Sequence, residues 1–159
     1  MKRNDTIWDV AVIGGGPAGM MAAARAAEQG ARVLVLEKNP GLGKKLLITG
    51  GGRCNVTNKT EEVRALLAQY GESSQFLFSA FSQYGVAQTI AFFESHGVPL
   101  KEENNRRMFP VSNSARSIWE VLVRRLDQLG VTVRTKCEVK NLRFDAAEQC
   151  FEISVKGAR

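Results

Sequence analysis

Val10-Ala11-Val12-Ile13-Gly14-Gly15-Gly16-Pro17-Ala18-Gly19 is a short apolar run that breaks into glycines and then into small helix-forming residues. Val10 to Ile13 has the length and β-branched content of a strand buried on both faces of a parallel sheet. Gly14, Gly16 and Gly19 follow the spacing G-x-G-x-x-G, and each has its own task. Gly14 makes the tight turn, Gly16 lets backbone approach a pyrophosphate, and Gly19 lets the next helix pack closely on the sheet. Pro17 suits the first helical turn, where its missing N–H costs nothing. Ala18, Ala22, Ala23, Ala24, Ala26 and Ala27 carry the helix on to Gly30, and its N-terminus offers unpaired N–H groups to phosphates. Val33 to Leu36 reads as a second parallel strand, and Glu37 at its end stands where a carboxylate accepts hydrogen bonds from ribose hydroxyls. Strand, turn, helix, strand and acid fall within about thirty residues, the arrangement of a dinucleotide site in a Rossmann-like α/β fold. Glu37 would repel a 2′-phosphate, which favours FAD or NAD over NADP.

Composition bounds the rest. At 159 residues and 44% hydrophobic, the chain is of a size to bury one core, and a second complete domain is not expected. Lys2 and Arg3 are not followed by an apolar stretch of signal-peptide length, and no run reaches the ~18 apolar residues of a membrane span. No membrane association and a cytoplasmic location are therefore expected. Cys54, Cys137 and Cys150 are odd in number and far apart, without the spacing of a zinc site or a dithiol motif. They read as reduced thiols, and no metal site is read. With 22 Lys+Arg against 16 Asp+Glu the net charge is +6. Arg106-Arg107, Arg116, Arg124-Arg125 and Arg134 gather in the second half, which keeps a polyanion in view although a basic surface also serves solubility.

Beyond Glu37 the chain reads Lys38-Asn39-Pro40-Gly41-Leu42-Gly43-Lys44-Lys45, then Leu46 to Thr49, then Gly50-Gly51-Gly52-Arg53-Cys54-Asn55-Val56-Thr57-Asn58. Three consecutive glycines make a backbone that lies against a flat ring or a phosphate with its N–H groups free to donate. The pattern Gly14-x-Gly16-x-x-Gly19 with Ala23 and Gly30 resembles the longer fingerprint of FAD-binding flavoproteins. Together with Glu37-Lys38, Gly41-x-Gly43-Lys44-Lys45-Leu46, the Thr49 to Asn58 string and Arg107-Met108-Phe109-Pro110-Val111-Ser112, it resembles the BaiN/RdsA family of bacterial flavoproteins, which also contains proteins described as aminoacetone oxidases or NAD(FAD)-utilising dehydrogenases.

That resemblance implies the N-terminal part of a glutathione-reductase-like FAD domain, a parallel sheet with flanking helices. Family members are considerably longer, so residues 1–159 are expected to lack an inserted β-rich domain and a C-terminal return of the FAD domain. The resemblance implies that the adenosine half of FAD lies over Gly14, Gly16, Pro17, Ala18, Gly19, Glu37 and Lys38, with Lys45 beside the cofactor. Thr49, Gly50, Gly51, Gly52, Arg53, Cys54 and Asn55 would lie near the flavin. NAD(P)H is the implied electron donor. The implied activity is reduction of a uridine of large-subunit ribosomal RNA to dihydrouridine, with no DNA partner. The alternatives are a flavin oxidase or dehydrogenase of a small amine or carbonyl compound, and an inactive fragment that binds at most the ADP portion. Uridine reduction places a hydride on C6 and a proton on C5; Cys54 is the candidate acid, and Arg53 is expected to lower its pKa or to contact a phosphate.

The remaining elements follow from periodicity. Thr60 is expected to cap a helix to Tyr70, Ser73-Ser74 to start a second, and Val86, Ile90 and Phe93 to mark a third that ends at Gly97-Val98-Pro99. Helical spacing of Phe76, Phe78, Phe81, Phe92 and Phe93 favours core packing over base stacking. His96 fits a helix end. Arg106 to Ser112 reads as a loop because Pro110 discourages helix at Phe109. Ser114 or a near neighbour is expected to cap a helix bearing Ile118, Leu122, Leu126 and Leu129, with Gly130 after it, and Val131 to Thr135, Val139 to Phe144 and Phe151 to Val155 read as strands.

Overall fold

The computed structural model describes residues 7–60 and 62–156. Lys2 and Arg3, read above for a targeting signal, and the closing Gly157-Ala158-Arg159 lie outside the described residues. In chain order the elements are β1 (Val10–Ile13), α1 (Pro17–Glu28), β2 (Val33–Leu36), β3 (Thr57–Asn58), α2 (Val63–Ala68), α3 (Ser74–Gln83), α4 (Val86–Ser95), β4 (Leu100–Glu103), β5 (Arg107–Pro110), α5 (Ala115–Gln128), β6 (Thr132–Arg134), β7 (Glu138–Asp145) and β8 (Cys150–Lys156). They form two compact units, one from the segments up to Lys45 and from Leu122 onward, the other from Leu46–Val121.

The first unit is built on a parallel sheet of order β1-β2-β6, with Val10 opposite Val33 and Leu34 opposite Thr132. β2 is the central strand and all four of its residues are buried, as a continuously apolar VLVL run requires. Successive side chains point to opposite faces. Leu34 and Leu36 pack with Cys137 against Trp8, just before β1, and against Val139, Ile153 and Val155 of the antiparallel β7–β8 hairpin. Val33 and Val35 take the other face, where α1 packs on β1 and β2 and buries Met20, Ala23 and Ala24. Glu28 at the end of α1 accepts from Arg125 of α5 at 2.9 Å. On the hairpin, Phe144 and Phe151 pair across the strands with ring centroids 5.2 Å apart, both exposed. Among the described residues no strand pairs with the outer edge of β1.

The second unit holds an antiparallel sheet of order β3-β5-β4. Its central strand corrects the loop expected at Arg106 to Ser112. Arg107 to Phe109 supply the ladder to both neighbours, and Pro110 stands at the last position, buried opposite Leu100. α2 also starts later than expected. Its cap is Glu62, whose carboxylate accepts from the Arg64 and Ala65 N–H groups at 3.2 and 2.9 Å, while the Thr60 hydroxyl donates to Asn58. α3 starts at Ser74 as read, but Phe76 and Phe78 do not join a core, Phe76 being 86% exposed and Phe78 also exposed, whereas Phe81 is half-buried beside Tyr70 and Phe93 of α4 is buried. Spacing finds the apolar stripe of α3 and not whether another element covers it. α5 is capped by the Ser114 hydroxyl, which accepts from Arg116, and is followed by Gly130 at φ +67°. No helix of the described residues is long and apolar enough to cross a membrane.

Candidate cofactor site

Gly14 leaves β1 at φ +104°, a backbone that side chains other than glycine's rarely adopt, and its N–H donates to Leu36 O at 2.8 Å. Gly16 is the extended N-cap of α1, with Pro17 at the first helical position. A Cβ on Gly19 would stand 2.0 Å from the carbonyl oxygen of Gly14, so the helix lies against the turn as closely as backbone permits. A Cβ on Gly16 would meet no atom within 4 Å, so a methyl group would fit there without displacing protein. One glycine is required by the protein's own packing and the other leaves room. Pro17 and Ala18 are exposed at that helix start, as are Lys38 and Lys45 after β2.

Glu37, at the carboxyl end of β2, is 7% exposed. Its Oε2 accepts the Gly15 N–H at 2.8 Å, and its Oε1 accepts the Asn39 N–H at 2.8 Å and the Asn39 side-chain amide at 2.6 Å. An ionised carboxylate offers about four acceptor sites, so three are used and capacity for a further donor remains. Burial pushes the Glu37 pKa up, yet the N–H groups of Asn39 and Gly15, the Asn39 amide and the charge of Lys38 outweigh it and hold the carboxyl below the usual range. Gly15 is the residue that sequence spacing passed over. A Cβ there would lie 2.2 Å from Leu42, and its carbonyl accepts the Gly43 N–H at 2.8 Å.

In the second unit, Gly50, Gly51 and Gly52 have φ of +55°, +66° and +83°, and Cys54 follows at φ +61°. This left-handed turn is closed by Arg53 N–H to Gly50 O at 3.3 Å and Cys54 N–H to Thr49 O at 3.0 Å. Gly50 and Gly51 are exposed. The Asn55 amide, oriented with its nitrogen toward the carbonyls, donates to Met108 O and Thr57 O at 3.2 and 3.0 Å and ties the turn to β5. Arg53 donates to Glu103 and, at 2.9 Å, to Asn113, with its guanidinium 4.4 Å from the ring centroid of Phe109. Its charge is thus spent on Glu103. Contrary to the expected lowering by Arg53, burial pushes the Cys54 thiol up, offset in part by the hydrogen bond with Thr49. Cys54 is 4% exposed and protonated at neutral pH.

The structure brings Gly14, Gly16, Pro17, Ala18 and Gly19 together with Glu37 in one unit, and Thr49 to Asn55 together in the other. Sequence reading missed Gly15, Asn39 and Leu42 in the first, and Glu103, Phe109 and Asn113 in the second. Gly15 carried a signal as one glycine in an unbroken run of three, and Phe109 as part of the Arg107 to Ser112 motif, without the contact that gives it its role.

The model of the HI0933-like protein Rossmann domain matches residues 8–159. The chain is 34% identical over 152 residues to the 3-dehydro-bile acid delta(4,6)-reductase of Clostridium scindens, covering 94% of this chain and 36% of that protein. It is 34% identical over 157 residues to the ribosomal RNA dihydrouridine synthase of Escherichia coli, covering 99% of this chain and 37% of that protein. The chain therefore spans little more than a third of the length of these relatives. Among solved structures, the 3-ketosteroid-delta4-(5alpha)-dehydrogenase of Rhodococcus jostii RHA1 superposes with a TM-score of 0.73 at 20% identity, over 97% of this chain and 43% of that one. That likeness concerns the fold, which is the Rossmann-like FAD-binding type.

Proposed function

The chain belongs to the HI0933-like Rossmann domain family of FAD-dependent oxidoreductases, and from that premise we propose that it holds FAD for hydride transfer from NAD(P)H to a uridine of large-subunit ribosomal RNA. The observation that carries the cofactor is the pair of glycines described above: Gly19 is packed to contact, while Gly16, the extended N-cap of α1, has no protein atom within 4 Å of where a Cβ would stand. In this reading the Gly16 backbone and the start of α1 bind the pyrophosphate, and Glu37 accepts a ribose hydroxyl with its remaining capacity. Lys38 and Lys45 flank the phosphates. The exposed Gly50 and Gly51 offer N–H groups to the flavin ring, and Cys54 holds a proton at Sγ for the reduced base. Bound FAD supplies a two-electron carrier between a nicotinamide and an electron-poor carbon. Support for the RNA substrate comes from the relative named as a ribosomal RNA dihydrouridine synthase. A second reading, reduction of a small unsaturated carbonyl compound, draws equal support from the relative named as a bile acid reductase, which has the same identity.

The test is an FAD titration of the purified chain followed by absorption, with release of the bound nucleotide on denaturation. Perturbed flavin bands and released FAD are expected. Anaerobic re-oxidation of the reduced flavoprotein by a ribosomal RNA fragment favours the first reading, and re-oxidation by a conjugated enone without RNA favours the second. A folded protein that leaves the FAD spectrum unchanged overturns both.

A further inference from the structure

Three glycines in a row have more conformational freedom than any other tripeptide, so a single left-handed turn at Gly50 to Cys54 needs something outside it to select it. Its own closure is two backbone hydrogen bonds. Cys54, at φ +61°, adds a cost, because a side chain in the left-handed region crowds its own backbone. Arg53 is the first long side chain after the glycines, and it is held at three points. Glu103 accepts from its Nη2, Asn113 Oδ1 accepts from the same nitrogen at 2.9 Å, and Phe109 lies under the guanidinium. Phe109 is 4% exposed, and its Cε1 lies 3.3 Å from where a Cβ on Gly50 would stand, so one ring backs both ends of the turn. Unusual backbone lies at or beside both anchors, although Glu103 itself is extended. Asn113 has φ +53°, and Glu103 leads into a turn in which Asn105 and Arg106 have φ of +62° and +57°. Such residues persist only where their surroundings over-determine them.

We propose that Glu103 and Asn113 are positioning residues, which act through Arg53 to hold the Gly50–Cys54 turn in the one conformation that presents its backbone N–H groups to the flavin. The inference rests on the reading that this turn meets the flavin ring. Glu103 supplies the charge and Asn113 the direction. Lys101, 3.2 Å from the Glu103 carboxylate, keeps that carboxylate ionised together with Arg53.

The test is residue-resolved amide exchange on the 159-residue chain as wild type, Glu103→Ala, Glu103→Gln and Asn113→Ala, with an FAD titration of each. Glu103→Ala is expected to speed exchange at Arg53 and Cys54, whose N–H groups close the turn, by about fivefold while Gly14 to Gly19 keep the wild-type rate. Glu103→Gln, which retains the acceptor, restores part of the protection. FAD affinity and the shape of the bound flavin bands are expected to change in the same order. Wild-type exchange in Glu103→Ala overturns the inference, and so does faster exchange with unchanged FAD affinity and spectrum. If the wild type itself takes no FAD, the reading of the turn as a flavin contact falls and the inference with it, while the exchange data still report whether the Arg53 clip exists.

Discussion

At the scale of single residues, the glycines of the first unit divide into those where the fold has no room for a side chain and those where it has, the latter being the ones the proposed reading gives to the pyrophosphate. Gly19→Ala drives a methyl into the Gly14 carbonyl and is expected to cost about 3 kcal/mol in a urea unfolding experiment, the upper end of overpacking costs. Gly16→Ala meets open space, so stability is expected to stay within ~0.5 kcal/mol of wild type. Its FAD affinity should nevertheless fall by about tenfold, because the pyrophosphate can no longer approach the backbone closely. The packing task of Gly19 was legible from spacing alone. Gly15 was not, because the atom that excludes a side chain there belongs to Leu42, on the loop beyond β2. Glu37 was legible as an acid at a strand end, but its bonds to Gly15 and Asn39 were not. Because its carboxyl is depressed in the folded state, its stabilisation is full above the ordinary glutamate pKa of about 4.3 and is lost as pH falls through the lower folded value. The urea midpoint of wild type should therefore exceed that of Glu37→Gln at neutral pH, with the difference closing below pH ~4. A constant difference at all pH values would assign Glu37 a packing role only.

At the scale of elements, what is legible in the sequence is local. β1, α1 and β2 lie within a residue or two of their expected bounds because strand, turn and helix signals are contiguous there. The hairpin strands β7 and β8 follow from their own apolar alternation. β5 escapes a local reading because Arg107 to Pro110 becomes a strand only by pairing with β4 and with Thr57 and Asn58, which lie fifty residues earlier. The family resemblance nevertheless marks Arg107 to Ser112 as characteristic. The structure supplies a physical reason: Met108 O anchors Val56 and Asn55, and Phe109 backs Gly50 and Arg53. A stretch that lacks helical or strand periodicity can thus still be the floor of a glycine turn. The exposed phenylalanines of α3 are the opposite case, in which a clear helical stripe is legible and its exposure is not.

At the scale of the molecule, the charge is divided unequally. The first unit carries 15 Lys+Arg against 9 Asp+Glu, and the second has 7 of each, so the surplus of +6 belongs to the unit that holds the glycine turn and Glu37. Total composition conceals this, because the arginines of the second half fall on both sides of the boundary at Val121. If RNA is the substrate, its backbone is gripped by the first unit. Replacing Lys136, Lys140 and Lys156 by Gln should flatten the dependence of log K on log salt by about 0.7–0.9 for each phosphate no longer neutralised, and replacing Lys59 and Lys101 should leave the slope unchanged. The outer side of β1 bears on handling rather than chemistry. Among the described residues β1 has no strand partner on that side, and such an edge is a template, able to add any extended chain as its next member, including a partly unfolded copy of itself. Dilution during refolding therefore protects this protein more than added salt does, since the growth it must avoid is one of sheet extension rather than charge neutralisation.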